Sequence, residues 1–127
     1  MGYFNKIVPF DIAFEMCQQG YNKDHGYQYD ADGNLCDLAA PGGVAGVCEA
    51  PTYAETLDWL IEKGMCVSIY AIRLPEEGVK WISHLMDISE KNEYDGSFGY
   101  KQSFEEGLEP ALEKALEIIS NREMRTL

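Results

Sequence analysis

Two histidines, four cysteines and twenty-two carboxylates are the groups of this chain that could do chemistry. Nucleophilic catalysis needs a thiol or hydroxyl within reach of a base. His25 sits in the polar stretch Asn22-Lys23-Asp24-His25-Gly26, and His84 sits in an apolar, strand-like run. A lone histidine on an apolar face reads more simply as a satisfied core residue than as a catalyst. Cys17, Cys36, Cys48 and Cys66 contain no C-x-x-C pair, so their spacing does not suggest zinc. Each lies among apolar neighbours and reads as a buried free thiol. Asp30-Ala31-Asp32-Gly33-Asn34 invites calcium, yet an EF-hand loop aligned on Gly33 begins at Gln28 and ends at Ala39, where acidic ligands are required. Pro41-Gly42-Gly43-Val44-Ala45-Gly46 has neither the Gly-Lys-Ser/Thr of a phosphate-binding loop nor the G-x-G-x-x-G spacing, and reads as a plain loop. The expectation is no metal, no cofactor, no catalytic residue and no enzyme activity.

The charge balance excludes further classes. Ten basic against twenty-two acidic residues give a net charge of −12. Such a surface repels phosphate backbones and anionic lipid, so direct nucleic-acid and membrane binding are not expected. No apolar run approaches the roughly 20 residues of a membrane helix. The N-terminus lacks the pattern of an export signal, and Lys6 stands where a myristoylation site prefers Ser or Thr. These features place the chain in the cytoplasm.

With 127 residues, 46% of them hydrophobic, the chain is long enough for one cored domain. A helix is expected from Pro9 to about Gln19, ended by Gly20. Gly26–Ala40 reads as a hairpin turning at Asp32-Gly33. Val44–Glu49 forms a further short strand. Thr52 and Glu55 make a capping box for a second helix, ended by Gly64. Strands follow at Met65–Leu74, Val79–Ile88 and Ser97–Lys101. Ser103 and Glu106 make another capping box, and Leu108, Ala111, Leu112, Ala115, Ile118 and Ile119 form the stripe of a third helix, with a kink expected at Pro110. The order α-β-β-(β)-α-β-β-β-α implies a single α+β domain over 1–127, an antiparallel sheet with helices packed on one face. Within it, 52–121 forms an α-β-β-β-α core and 1–50 a helix plus hairpin.

If Pro75-Glu76-Glu77-Gly78 is a four-residue loop, Leu74 pairs with Val79. One face of the central hairpin then carries Ile69, Ile82, His84 and Met86 toward the helices, to be buried with Leu112 and Ile119. The other face carries Cys66, Ser68, Tyr70 and Ile72 with Trp81, Ser83, Leu85 and Asp87. That face, with Tyr70, Ile72, Trp81 and Leu85 as its candidate interaction residues, is covered by the N-terminal half or offered to a partner.

Three resemblances bear on this reading. Tyr29-Asp30-Ala31-Asp32-Gly33-Asn34-Leu35 resembles one unit of a YD (RHS-type) repeat; those proteins use many tandem copies and here there is one. Thr52–Asn121 is similar in topology and length to the double-stranded RNA-binding domain, whose second helix opens with lysines; here it opens Ser103-Phe104-Glu105-Glu106, so RNA binding does not carry over. Ala50-Pro51-Thr52-Tyr53-Ala54-Glu55-Thr56-Leu57-Asp58-Trp59-Leu60, then Glu62-Lys63-Gly64 and a strand, resembles a group of small uncharacterised proteins of gut bacterial genomes and their phages or mobile elements. The likeness extends to Gly20-Tyr21 upstream and Ser103-Phe104-Glu105-Glu106-Gly107-Leu108 downstream. It implies genomic context and no catalytic residue.

The leading expectation is a non-enzymatic accessory or regulatory protein that binds another protein, with association of two copies through the sheet face compatible. One alternative is an acidic inhibitor that mimics nucleic acid with Glu105, Glu106, Glu109, Glu113 and Glu117 and blocks a nucleic-acid or defence enzyme. Another is a small-molecule-binding domain built around Tyr70 and Trp81.

Overall fold

The computed structural model describes residues 2–23, 26–37 and 46–125, with side chains to Glu123. His25, Leu38 and the segment 41–45 lie outside the described residues. The architecture is α+β. The helices are α1 (Phe10–Gln18), α2 (Tyr53–Glu62) and α3 (Phe104–Arg125). The strands are β1 (Tyr27–Tyr29), β2 (Leu35–Asp37), β3 (Cys48–Glu49), β4 (Met65–Leu74), β5 (Gly78–Asp87) and β6 (Asp95–Lys101). The one expected sheet is two, ordered β2-β1-β3 and β4-β5-β6, both antiparallel. The chain divides into two compact units, 1–56 and 57–127, with the boundary inside α2.

In the first unit, Pro9 caps α1 from an extended conformation rather than opening its first turn. At the other end, the Gly20 amide donates to the Cys17 carbonyl and the Tyr21 amide to the Met16 carbonyl at 3.0 Å, the Schellman closure that glycine permits. The β1–β2 turn is held by Asp30, whose Oδ1 accepts the amides of Asp32 and Asn34, both at 2.9 Å. Ile12, Ala13 and Met16 of α1 are buried with Val8, Tyr29 and Cys48. Burying Tyr29 leaves its hydroxyl to satisfy, and it donates to the Val8 carbonyl at 2.5 Å.

The capping box of α2 is reciprocal: the Thr52 amide donates to Glu55 Oε1 at 2.8 Å and the Glu55 amide to Thr52 Oγ1 at 3.2 Å. At the start of α3, Ser103 Oγ accepts the Glu106 amide at 3.2 Å and donates to Glu106 Oε1 at 3.0 Å. The helix runs unbroken through Pro110.

In the second unit, β4, β5 and β6 form a meander with α3 against one side. Here the expected pairing fails by one residue. Leu74 stands opposite Gly78, not Val79. Gly78 takes a φ of +79°, a conformation that costs glycine nothing, and so enters the ladder instead of the loop. A one-residue slip sends every β5 side chain to the other side. Leu112 and Ile119 are buried as expected, but Met86 is exposed and Ile69 and Ile82 are only half-buried. Near its end β6 carries a bulge, Gly99 and Tyr100 together opposing Ile82.

Candidate functional site

The slip divides the four candidate interaction residues. Tyr70 and Ile72 point away from α3, whereas Trp81 and Leu85 point toward it. Across the ladder Trp81 opposes Ala71 and Leu85 opposes Val67, while Tyr70 opposes Ile82 and Ile72 opposes Lys80. The Trp81 ring meets Phe104 of α3 edge-on, with centroids 5.5 Å apart. Leu85 is fully buried. The proposed surface of Tyr70, Ile72, Trp81 and Leu85 therefore does not exist as one face.

The covered side is a tightly fitted one. A Cβ on Gly107 would lie 2.8 Å from Trp81 Cβ, so α3 reaches this distance from β5 only because residue 107 has no side chain. The buried Ser83 hydroxyl donates to the Gly107 carbonyl at 2.6 Å. Asp87 is also buried. Its carboxylate accepts from the Ser89 hydroxyl (2.6 Å), the Ser89 amide (2.9 Å), the Glu93 amide (2.7 Å) and the Arg122 guanidinium. Burial alone would raise the Asp87 pKa. The donors from Ser89, Glu93 and Arg122 outweigh it and hold the carboxyl well below the usual carboxylate range. This cluster ties the end of β5 to the last turns of α3.

The open side carries Cys66, Ser68, Tyr70 and Ile72 of β4 beside Ile82, His84 and Met86 of β5. Tyr70 is 51% exposed and Met86 42%. Two of the direct cross-strand pairs, Tyr70–Ile82 and Cys66–Met86, are apolar, and the Ser68–His84 pair stands between them. His84, on the central strand between Ile82 and Met86, has Nε2 2.5 Å from Asp95 Oδ1 and Nδ1 3.2 Å from Ser97 Oγ. Ile82, His84 and Met86 are the surface residues that sequence reasoning assigned to the core. Their signal was the alternation itself, read one position out of phase.

Other titratable groups are driven away from reactivity. Burial, then the neighbouring Cys17, pushes the Cys48 thiol up. Burial, with Cys48 and Asp11 adding to it, raises Tyr29. Burial, with the Glu55 and Glu49 carboxylates, raises Tyr21 further. A protonated thiol and protonated phenols are poor nucleophiles. Among the described residues no group of three or more His, Cys, Asp or Glu side chains is arranged to hold a metal ion. No described helix is long and apolar enough to cross a membrane. The first unit has a cavity of about 500 Å³ whose lining includes Asn5, Ile7, Tyr27, Leu35, Thr52 and Glu55. It is far in sequence from Tyr70 and Trp81, which occupy opposite sides of the sheet. Set against protein-family models, curated proteins and solved structures, the chain finds no match.

Proposed function

We propose that this chain is a non-enzymatic accessory or regulatory protein that binds another protein through the open side of the β4-β5-β6 sheet. The observation that carries the reading is the exposure of Tyr70 and Met86 on one side of the sheet, on strands whose other side is fixed against α3. Aromatic residues and methionine are enriched at interface cores, and a polar rim is normal around them. Here Tyr70, Ile82 and Met86 supply the apolar contacts, His84 stands between Ile82 and Met86, and Asp95 and Lys80 lie to either end. A rigid backing lowers the ordering cost of binding. The corrected surface is thus Tyr70, Ile72, Ile82 and Met86. The four unbridged cysteines fit action in a reducing cytoplasm.

The nucleic-acid mimic draws less support. Its helix does expose Glu106, Glu113 and Glu117. Yet cations interrupt the row: Lys101 shares a cleft with Glu106, Glu109 and Glu113, and Lys114 Nζ lies 3.4 Å from Glu117. Scattered charge of this kind serves solubility.

The test is affinity capture from the native cell with and without nuclease, using the parent chain and a Tyr70→Ser/Met86→Glu double variant. The reading expects a protein captured in both nuclease conditions and lost from the variant, with the variant's unfolding midpoint preserved. Capture that is unaffected by the double substitution, or that vanishes with nuclease, overturns it.

A further inference from the structure

We propose that the cavity of the first unit is a binding site for a small primary amine with an apolar body, its ammonium held by the Glu55 carboxylate. This inference does not depend on the open face binding anything.

The walls of this cavity are tied to one another through the main chain. Ile7 bridges Thr52 antiparallel. Beside that bridge the Val8 amide donates to the Pro51 carbonyl at 3.0 Å and the Tyr53 amide to the Lys6 carbonyl at 2.9 Å. The Ala50 amide donates to the Tyr27 carbonyl at 3.1 Å, and the β1–β2 ladder sets Leu35 opposite Tyr29. The space of about 500 Å³ is thus framed by backbone hydrogen bonds, and its volume is that of a small-ligand pocket. Ile7, Leu35, Ala50 and the Tyr27 ring give it apolar surface. Tyr27 and Leu35 remain exposed, so a ligand can reach them from solvent.

The polar groups choose the ligand. Among the described residues that line the cavity, Glu55 alone carries a charge. Its Oε1 accepts the Thr52 amide at 2.8 Å, which fixes the carboxylate in the first turn of α2. A carboxylate has about four acceptor sites, so its capacity exceeds that one bond. Asn5 and Thr52 add a carboxamide oxygen and a hydroxyl oxygen to the lining. Three acceptor groups match the three N–H donors of a primary ammonium. Tyr27 adds an aromatic face, which attracts a cation. An anion is disfavoured: after burial, the Glu55 and Glu49 carboxylates raise the Tyr21 pKa, so the field within this unit is negative. A neutral alcohol forgoes the charge-assisted hydrogen bond, which is roughly twice as strong as a neutral one.

The experiment is an amide-resolved NMR titration of the full chain at neutral pH with phenethylamine, its neutral counterpart phenethyl alcohol and the anion phenylacetate. The amine is expected to saturate with a Kd of about 1 mM or tighter. The alcohol is expected to bind about tenfold more weakly, and phenylacetate not at all. The shifted amides are expected at Ile7, Tyr27, Leu35, Thr52 and Glu55. Glu55→Gln keeps the capping box, which takes glutamine at this position. It is expected to bring the amine down to the affinity of the alcohol, with the unfolding midpoint retained. Should that variant misfold, the parent chain decides alone, through the amine-to-alcohol ratio and the location of the shifts. The Tyr70→Ser/Met86→Glu variant binds the amine as the parent does, which separates this site from the open face. No saturation by about 10 mM amine overturns the proposal. So do equal affinities for the amine and either counterpart, shifts confined to β4, β5 and β6, or a folded Glu55→Gln variant that binds the amine undiminished.

Discussion

Along β5, Trp81, Ser83, Leu85 and Asp87 face α3, while Ile82, His84 and Met86 face away. Neighbours one position apart therefore inhabit different surroundings. On the covered side even polar groups have fixed partners: Ser83 meets the Gly107 carbonyl, and Asp87 meets Ser89, Glu93 and Arg122. On the open side Met86, a large apolar group, stays exposed. Polarity does not sort the two sides; the availability of a partner does. A buried hydrogen-bonded serine costs less than an exposed methionine patch would suggest, because its hydroxyl has exchanged water for a carbonyl.

The largest expected contrast lies between adjacent residues. Leu85→Ala should cost about 2–5 kcal/mol through the cavity it leaves, whereas Met86→Ala should cost less than about 1 kcal/mol. Urea unfolding of the two variants checks this, and equal losses would break the distinction between the sides.

Asp87→Asn removes the buried counter-charge of Arg122 and leaves it only Glu93, whose Oε2 lies 3.8 Å away, and a loss of about 2–4 kcal/mol at neutral pH is expected. The pH dependence has a definite sign. The folded Asp87 carboxyl is held below its unfolded pKa of about 3.9, so its contribution is complete above that value. It fades as pH falls through the folded pKa. The parent should lose stability across this acid range, and Asp87→Asn should show a flatter acid limb.

Gly107→Ala sharpens the comparison through its sign. In an ordinary helix the change gains about 1 kcal/mol. Against Trp81 the added methyl has nowhere to go, so a loss of about 1–3 kcal/mol is expected by thermal unfolding. The smallest effect belongs to Tyr70→Ser, expected within about 0.5 kcal/mol of the parent while binding through the open face weakens.

Much of this architecture can be read from residue order, because the signals are local. The Thr52–Glu55 and Ser103–Glu106 caps, the Asp32-Gly33 turn and the α3 stripe each need only a few neighbouring residues. The pairing of β4 with β5 turns on whether Gly78 belongs to the loop or the ladder, and both are cheap for glycine. The hydrophobic pattern could not break that tie. Ile82, Met86 and Ile88 make the even side of β5 look like the core, and Ser83 and Asp87 make the odd side look solvated. The groups that reverse this impression, the Gly107 carbonyl and the Arg122 guanidinium, lie on α3, far along the chain. The candidate face divides for the same reason: Tyr70 and Ile72 share one side of the sheet, and Trp81 and Leu85 lie on the other.

Met65 and Met86 provide the most direct test, being the same chemical group on opposite sides of one sheet. Met65 is fully buried and Met86 is 42% exposed. Limited peroxide oxidation followed by peptide mass spectrometry reads both in one sample. The account predicts rapid sulfoxide formation at Met86 and protection of Met65 until the chain unfolds. Protection of Met86 in the isolated chain, or oxidation of Met65 at a similar rate, would contradict the assignment of an open side.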